Sequence, residues 1–228
     1  MKMKKTTNND AKAVVLLSGG LDSTVSLACA LEKSQTVLAL TFDYGQRAKE
    51  QEIKASAKIA DYYRIPHKII VLDWLKEITK TSLVDTENNL PLLQANQLND
   101  KTATGDSARK VWVPNRNGLF INIAGCFAES LGCSYIIFGA NKEEGKTFPD
   151  NSAKFVTKIN KSLKYSTLSQ PKVLAPLIGM TKKQIVKTAV QKNVPLNLIR
   201  SCYTNEEKHC GKCESCLRLK RALEENKI

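Results

Sequence analysis

A short polar turn at residues 18–23 combines residue types that can hold a phosphate group. It follows an apolar run, a helical pattern begins at its end, and in order it reads Ser18, Gly19, Gly20, Leu21, Asp22 and Ser23. Glycines let backbone N–H groups approach an anion, and a helix N-terminus adds about half a positive charge. No lysine follows as in a Walker A loop. An ordinary βα turn also uses Gly and Ser, but strand, turn and helix start all agree with a phosphate-binding loop.

Four cysteines near the end of the chain have the spacing of a metal site: Cys202, Cys210, Cys213 and Cys216. Gly211 suits a tight turn between ligands, and four thiolates suit tetrahedral zinc in a closed structural site. An iron–sulfur cluster is the alternative use of four cysteines, and His209 could replace one ligand. The other three cysteines lie in helix or strand patterns and are expected in the core: Cys29, Cys126 and Cys133. The sequence therefore predicts one structural zinc ion per chain.

Three further segments carry polar side chains that could contact a substrate. One follows the second predicted strand, one opens a long amphipathic helix, and one follows the fourth predicted strand. A guanidinium in such a position suits phosphate or carboxylate recognition. A capped loop is the alternative explanation for each segment. The candidate residues are Tyr44, Gln46, Arg47, Arg116, Asn117, Gly139, Asn141, Phe148 and Asp150.

The elements that must position these residues alternate along the chain. Apolar runs predict strands at residues 14–17, 36–42, 67–72, 135–139 and 173–177, and helical spacing predicts helices at 49–63, 117–131 and 150–165. A capping box from Thr181 to Gln184 predicts a further helix, with Met180 and Ile185 as its hydrophobic staple. Strands separated by helices predict an α/β fold with a doubly wound, mostly parallel sheet, whose ligands bind outside the carboxyl ends of the strands. Residues 83–110 are polar and lack clear periodicity, which suggests a lid, a binding loop or a disordered insertion.

Composition excludes some function classes. The chain has 228 residues, is 42% hydrophobic and contains no apolar run of 18 residues, so we expect no membrane span. A charged start followed by polar residues is unlike a signal peptide, which favours a cytoplasmic location. The formal charge of +13 permits nucleic-acid binding but comes from scattered lysines. With only two histidines, a Cys–His glutaminase pair is hard to build, so any nitrogen donor is expected to be free ammonia.

The loop at residues 18–23 resembles the pyrophosphate loop of the ATP pyrophosphatases. Taken with residues 43–47, 113–117, 148–150 and the four cysteines, the chain resembles the 7-cyano-7-deazaguanine synthase family over residues 14–218. Two places depart from the commoner family pattern. Ala48 stands where His is usual, and Asn151 and Ser152 stand where Cys and Arg are usual.

The resemblance implies an ATP-dependent ligase of the adenine nucleotide alpha hydrolase-like, Rossmann-like class. It would convert 7-carboxy-7-deazaguanine and ammonia to 7-cyano-7-deazaguanine through an acyl adenylate and an amide. It also implies Mg²⁺ with the ATP, a structural Zn²⁺, a homodimer and no stable nucleic-acid binding. The implied catalytic residues are Ser18, Asp22, Ser23, Arg47 and Arg116. The implied ATP-binding residues are Leu17, Ser18, Gly19, Gly20, Leu21, Asp22, Ser23, Thr24, Val25, Ser26 and Leu27.

The expected organisation is a flexible N-terminus at residues 1–12, an α/β domain at 13–200 and a zinc-binding segment at 201–228. Residues 82–110 would be a polar insertion or lid in the α/β domain. Two alternatives remain at this point. One is a related ATP-loop enzyme that adenylates a tRNA base or a protein partner. The other is a zinc-stabilised RNA-binding module, because residues 181–228 hold eleven Lys and Arg against five Asp and Glu.

Overall fold

The computed structural model describes residues 11–228, which form a five-stranded parallel sheet. The strands are β1 (Lys12–Leu16), β2 (Gln35–Asp43), β3 (His67–Val71), β4 (Tyr135–Ile137) and β5 (Lys172–Leu174). They lie in the order β3-β2-β1-β4-β5. The predicted doubly wound parallel sheet is confirmed. Strand order reverses between β1 and β4, which is where sheets of this kind bind ligands.

Six of the eight α-helices in residues 11–228 lie between strands, and α7 and α8 follow β5. The helices are α1 (Leu21–Ala30), α2 (Lys49–Tyr62), α3 (Asp73–Ile78), α4 (Lys101–Val111), α5 (Arg116–Ser130), α6 (Ala153–Ser166), α7 (Lys182–Gln191) and α8 (Glu214–Glu224). Successive β1 side chains point to opposite layers. Val14 and Leu16 pack into a core that includes residues of α5 and α6, whereas Val15 packs with residues of α1 and α2. The central strand β1 is therefore buried on both faces, as its nearly continuous apolar sequence requires, whereas the edge strand β3 is largely exposed.

The predicted helix at Thr181 is confirmed, since the Thr181 side chain accepts a hydrogen bond from Gln184 N and both halves of the capping box form. Helices α3 and α8 had no predicted counterpart. The predicted flexible terminus falls mainly on residues 1–10, outside the described residues, and Lys12 already begins β1. No helix among residues 11–228 is both long and apolar enough to cross a membrane.

The polar segment at residues 83–110 contains more structure than its sequence pattern predicts. A 3-10 turn at Ala95–Asn99 leads into α4, and Asp100 caps α4 by accepting from Thr102 N and Ala103 N. The buried face of α4 consists of Thr104, Ser107, Ala108 and Val111, so half of its buried residues are polar and the apolar stripe is short. The disordered alternative is therefore wrong for residues 95–111, whereas a lid or binding loop stays a prediction.

Candidate active site and metal centre

The turn at residues 18–23 is held in shape by close backbone packing. Gly19 has φ +75°, and a Cβ at that position would lie 2.8 Å from the Ala55 Cβ of α2, so only glycine fits. Ser18 N donates to Ser23 Oγ at 3.2 Å, and the two serine hydroxyl oxygens are 3.1 Å apart. Helix α1 begins at Leu21 without a side-chain cap. Its first N–H groups are therefore available for an anion.

The loop after β4 packs directly on the start of α1. A Cβ at Gly139 would lie 2.8 Å from Ser23 N and 2.9 Å from Ser23 Cα, so glycine permits this approach. Two residues further, the fully buried Asn141 donates to Asp22 Oδ2 at 3.0 Å and accepts from Glu143 N and Glu144 N. The amide of Asn141 thus fixes the aspartate of the turn.

A buried ionic group lies beside the turn. Lys182 Nζ, at the first residue of α7, contacts Asp22 Oδ2 at 2.5 Å and Glu144 Oε1 at 2.8 Å. Burial raises the pKa of Asp22, although Lys182 opposes the shift. Burial alone would lower the pKa of Lys182, but the two carboxylates outweigh it and raise that pKa. Asp22 Oδ1 is also buried and has no hydrogen-bond partner among the described residues. One carboxylate oxygen therefore stays free for a ligand.

A cavity of about 230 Å³ opens between these groups and the N-terminus of α5. Arg116, the first residue of α5, donates to Tyr44 Oη at 3.1 Å, and its guanidinium lies 5.8 Å from the centre of the Tyr44 ring. Burial opposes the charge of Arg116, yet the neighbouring Tyr44, Asp150 and Glu52 raise its pKa. A charged guanidinium thus lines the same cavity as the turn at residues 18–23. The predicted site residues that line the cavity are Leu17, Ser18, Gly20, Leu21, Asp22, Ser23, Arg116, Asn117 and Gly139.

Several predicted site residues lie outside this cavity. Arg47 instead donates to the carbonyl oxygens of Asp85, at 2.7 Å, and Asn88, which ties it to the segment before α4. Gln46 is buried, and its side-chain amide donates to Phe42 O and Glu52 Oε2 and accepts from Tyr44 N. Only the first turn of α1 lies at the strand ends, and the later predicted residues of this helix are fully buried. They are Thr24, Val25, Ser26 and Leu27.

One predicted substrate residue, Phe148, borders a second, larger space. Phe148 lines a cleft of about 1290 Å³ with Trp112, and the two rings are 6.2 Å apart and nearly parallel. Asp150 is buried behind the first cavity, and burial raises the pKa of its carboxyl while Arg116 opposes that shift. Lys182 lies in the walls of both spaces.

Sequence reasoning missed several charged and polar residues in the first cavity. They are Glu52, Glu144, Lys182, Arg200 and Tyr203. The capping box predicted helix α7 but gave no reason to select Lys182, its first residue. A lysine at the start of a helix resembles an ordinary surface residue. Only the crossing of α7 over the strand ends brings Lys182 to Asp22.

The four predicted metal ligands come together. All four Sγ atoms lie within 4.8 Å of one another, and Cys210 Sγ is 3.9 Å from Cys216 Sγ. A tetrahedral zinc with Zn–S bonds of about 2.3 Å spaces its sulfurs about 3.8 Å apart, so the cluster fits such an ion. Cys210 N donates to Cys202 Sγ at 3.4 Å, and Cys213 N donates to Cys210 Sγ at 3.4 Å. Gly211 has φ +69°, which the turn between ligands requires. These residues could hold a metal ion.

Arg200 connects the cysteine cluster to the turn at residues 18–23. Its backbone N–H donates to Gly19 O at 2.8 Å. Its guanidinium donates to the carbonyl oxygens of Thr204, Glu206 and Glu207 at 2.7–3.1 Å. Cys202 and Tyr203 then form part of the cavity wall. The order of the cysteine segment is thus coupled to the shape of the cavity.

Comparison with known proteins agrees with this geometry. A family model described as queuosine biosynthesis protein QueC matches residues 12–227. The chain is 54% identical over 211 residues to the 7-cyano-7-deazaguanine synthase of Carboxydothermus hydrogenoformans, covering 92% of this chain and 97% of that protein. The corresponding protein of Pelotomaculum thermopropionicum is 51% identical over 211 residues, covering 92% and 96%. That of Methanosarcina barkeri is 49% identical over 215 residues, covering 93% of each chain. The predicted family is confirmed, and the chain belongs to the QueC family of queuosine biosynthesis proteins.

Proposed function

We propose that the protein converts 7-carboxy-7-deazaguanine and ammonia to 7-cyano-7-deazaguanine with ATP. The observation that carries the proposal is the phosphate-binding turn at the point where strand order reverses, with Arg116 facing it across a small cavity. The relatives described above are named 7-cyano-7-deazaguanine synthase, after the product of this reaction. A site that activates a carboxylate needs a phosphate cradle and a cation close together, and both are present.

The turn supplies the anion-binding groups. The backbone N–H groups of residues 18–23 and the start of α1 hold the ATP phosphates, and the hydroxyls of Ser18 and Ser23 complete the cradle. The free Oδ1 of Asp22 is the residue atom suited to hold Mg²⁺, which would neutralise the departing pyrophosphate when bound. Lys182 holds the other oxygen of Asp22 and adds positive charge at the same place.

Arg116 positions the reacting carboxylate. Its guanidinium pairs with the substrate carboxylate or the α-phosphate, and Tyr44 fixes its orientation. The carboxylate oxygen attacks the α-phosphate and the bond to pyrophosphate breaks. Ammonia then replaces AMP at the acyl carbon to give the amide. In the second activation the amide oxygen attacks the α-phosphate of another ATP and pyrophosphate leaves. The oxygen then departs as part of AMP while the nitrogen loses both protons, which leaves the nitrile. Charges fixed beforehand by the fold stabilise each of these anionic states.

We further propose that the cysteine cluster holds one structural Zn²⁺. The chain would then consist of an α/β unit at residues 13–200, with an insertion at 82–110, and a zinc-binding segment at 201–228. The ordered α4 and the contacts of Arg47 with Asp85 and Asn88 support the insertion. A homodimer, a cytoplasmic location and the lack of stable nucleic-acid binding stay predictions from the family resemblance.

The proposal is tested with purified protein, 7-carboxy-7-deazaguanine, ATP, Mg²⁺ and ammonium, with products followed by mass spectrometry. We expect the acid to lose the mass that corresponds to nitrile formation while AMP accumulates. Asp22→Ala should abolish both products. Release of AMP only after addition of RNA or a protein partner would replace the substrate, and the absence of AMP under all conditions would overturn the proposal.

A further inference from the structure

Glu52 of α2 lies in the cavity wall beside the phosphate-binding turn. Its Oε2 accepts a hydrogen bond from Gln46 Nε2 at 2.9 Å, which fixes one side of the carboxylate. Its backbone carbonyl oxygen would be 3.2 Å from a Cβ built on Gly19. The second turn of the α2 backbone therefore lies directly against the turn that holds the phosphates. No step proposed above uses this side chain.

Glu52 differs from the other carboxylates that line the cavity. Asp22 and Glu144 are both bound to Lys182 Nζ. Glu52 forms no salt bridge with any residue of the described chain, although charged and titratable groups face it from three elements. Arg116 lies on α5, Arg200 precedes the cysteine cluster and Tyr44 follows β2. The cavity thus contains one carboxylate that is held in place by an amide and has no cation of its own.

The environment of Glu52 suits a proton acceptor. Burial raises the pKa of its carboxyl, while the Gln46 hydrogen bond and the nearby Arg116 and Arg200 oppose that shift. A carboxylate in a partly closed site binds a small cation strongly because water screens the charge less there. Ammonium is a small cation with four N–H donors, and at neutral pH most of the ammonia in solution is in this form.

We infer that Glu52 is the ammonium-binding and proton-accepting group of the site, an assignment that rests on the proposed function. Ammonium docks on the free side of the carboxylate and gives one proton to Glu52. The nitrogen lone pair then forms the C–N bond at the acyl carbon, and the C–O bond to AMP breaks with its electron pair leaving on the phosphate. The nitrogen loses its second proton to water, and Glu52 returns its own proton to solvent between turnovers.

The test compares Glu52→Gln with Glu50→Gln, a matched change at an exposed residue of the same helix. Adenylate formation is measured as substrate-dependent exchange of pyrophosphate into ATP. Acyl transfer is measured as amide formation with ammonium and, separately, as hydroxamate formation with hydroxylamine, which is uncharged at neutral pH. We expect Glu52→Gln to keep the exchange and the reaction with hydroxylamine but to lose about 100-fold in the ammonium reaction at pH 7. Glu50→Gln should leave all three rates unchanged.

A pH profile separates proton transfer from a structural role. Free ammonia increases about tenfold per pH unit below the pKa of ammonium, so the deficit of Glu52→Gln should shrink to a few-fold near pH 9.5. An equal loss in exchange, hydroxylamine and ammonium reactions would mean that Glu52 only supports the site and would overturn the assignment. So would an undiminished ammonium rate. If Glu52→Gln fails to fold, Glu52→Asp is measured by the same three assays. Absence of substrate-dependent exchange in the unaltered protein would instead refute the proposed function itself.

Discussion

The phosphate-binding turn and the cysteine cluster lie side by side, but different forces hold them in shape. The turn is shaped by the chain itself, since Gly19 fits against Ala55 and Gly139 against Ser23 with no room for a side chain. The cluster has a small apolar core made of its own cysteines and Tyr203. Its four Sγ atoms lie within 4.8 Å of one another, where unbound thiolates would repel. The turn therefore depends on close packing, whereas the proposed zinc ion would hold the cluster together.

Arg200 forms hydrogen bonds to both regions. Its N–H donates to the turn at Gly19 O, and its guanidinium donates to three carbonyl groups of the cysteine segment. A metal far from the reacting atoms can thus affect catalysis by ordering a segment that forms part of the cavity wall. The comparison leads to separate expectations for changes in each region.

The largest effect on activity is expected in the turn. Asp22→Asn keeps the size of the side chain but removes the charge that pairs with Lys182 and faces the phosphates. We expect AMP formation to fall at least 100-fold. The bound metal, measured by atomic absorption, should remain. Asp61→Asn, at an exposed residue of α2, is the control and should retain full activity. Loss of metal in Asp22→Asn would mean that the two regions are not held independently.

Removal of the metal should act on the cluster first and on the turn second. Structural zinc contributes on the order of 10 kcal/mol to the folding of its segment, so a chelator or Cys213→Ser should unfold residues around 202–216. Without the Arg200 hydrogen bond, ATP affinity should fall about tenfold, measured by calorimetry. The far-ultraviolet circular dichroism of the sheet should change little. A sheet that unfolds together with the cluster would contradict this division.

A backbone change in the turn should cost stability without loss of metal. Gly139→Ala places a Cβ within 2.8 Å of Ser23 N, so we expect a loss of about 1–3 kcal/mol in the free energy of unfolding and weaker ATP binding. Gly105→Ala in α4 is the matched control because a Cβ there meets nothing within 4 Å. It should gain about 0.5–1 kcal/mol. Urea unfolding of both variants measures the difference, and equal effects would refute the packing argument.

The smallest effect concerns pH. His67 Nε2 lies 2.8 Å from Thr41 Oγ1, which donates to Leu17 O just before the turn. Burial lowers the pKa of His67 from its ordinary value of 6.5, so its contribution to stability is complete above pH 6.5. Below that value the unfolded chain binds a proton before the folded chain does, and the free energy of unfolding falls. Denaturation between pH 7.5 and 5.5 should show this slope in metal-loaded protein, and His67→Gln should reduce it.

Residue types and their spacing predicted part of the fold and of the candidate site without the structure. The phosphate-binding turn and the spacing of the four cysteines need particular residue types at fixed intervals, and the alternation of strands and helices predicts a parallel sheet with its ligands at the carboxyl edge. Helix α4 escaped detection because its buried face includes Thr104 and Ser107, and the Ser107 hydroxyl donates to the buried Glu214 at 2.6 Å. Two apolar residues on this face, Ala108 and Val111, are too few for periodicity to reveal a face whose other buried residues are polar.

Glu52, Lys182 and Arg200 mark what depended on the tertiary structure. Each is one among 35 Lys and Arg and 22 Asp and Glu, and nothing in its neighbourhood along the chain separates it from a surface residue. Lys182 meets Asp22 across 160 positions of sequence because α7 crosses the strand ends. Arg47 shows the reverse, since its place after β2 predicted a ligand contact and the fold gave it the carbonyl groups of Asp85 and Asn88. The contacts of a charged side chain depend on its distance from other groups and on its burial. Both are fixed only when separate helices and strands pack together.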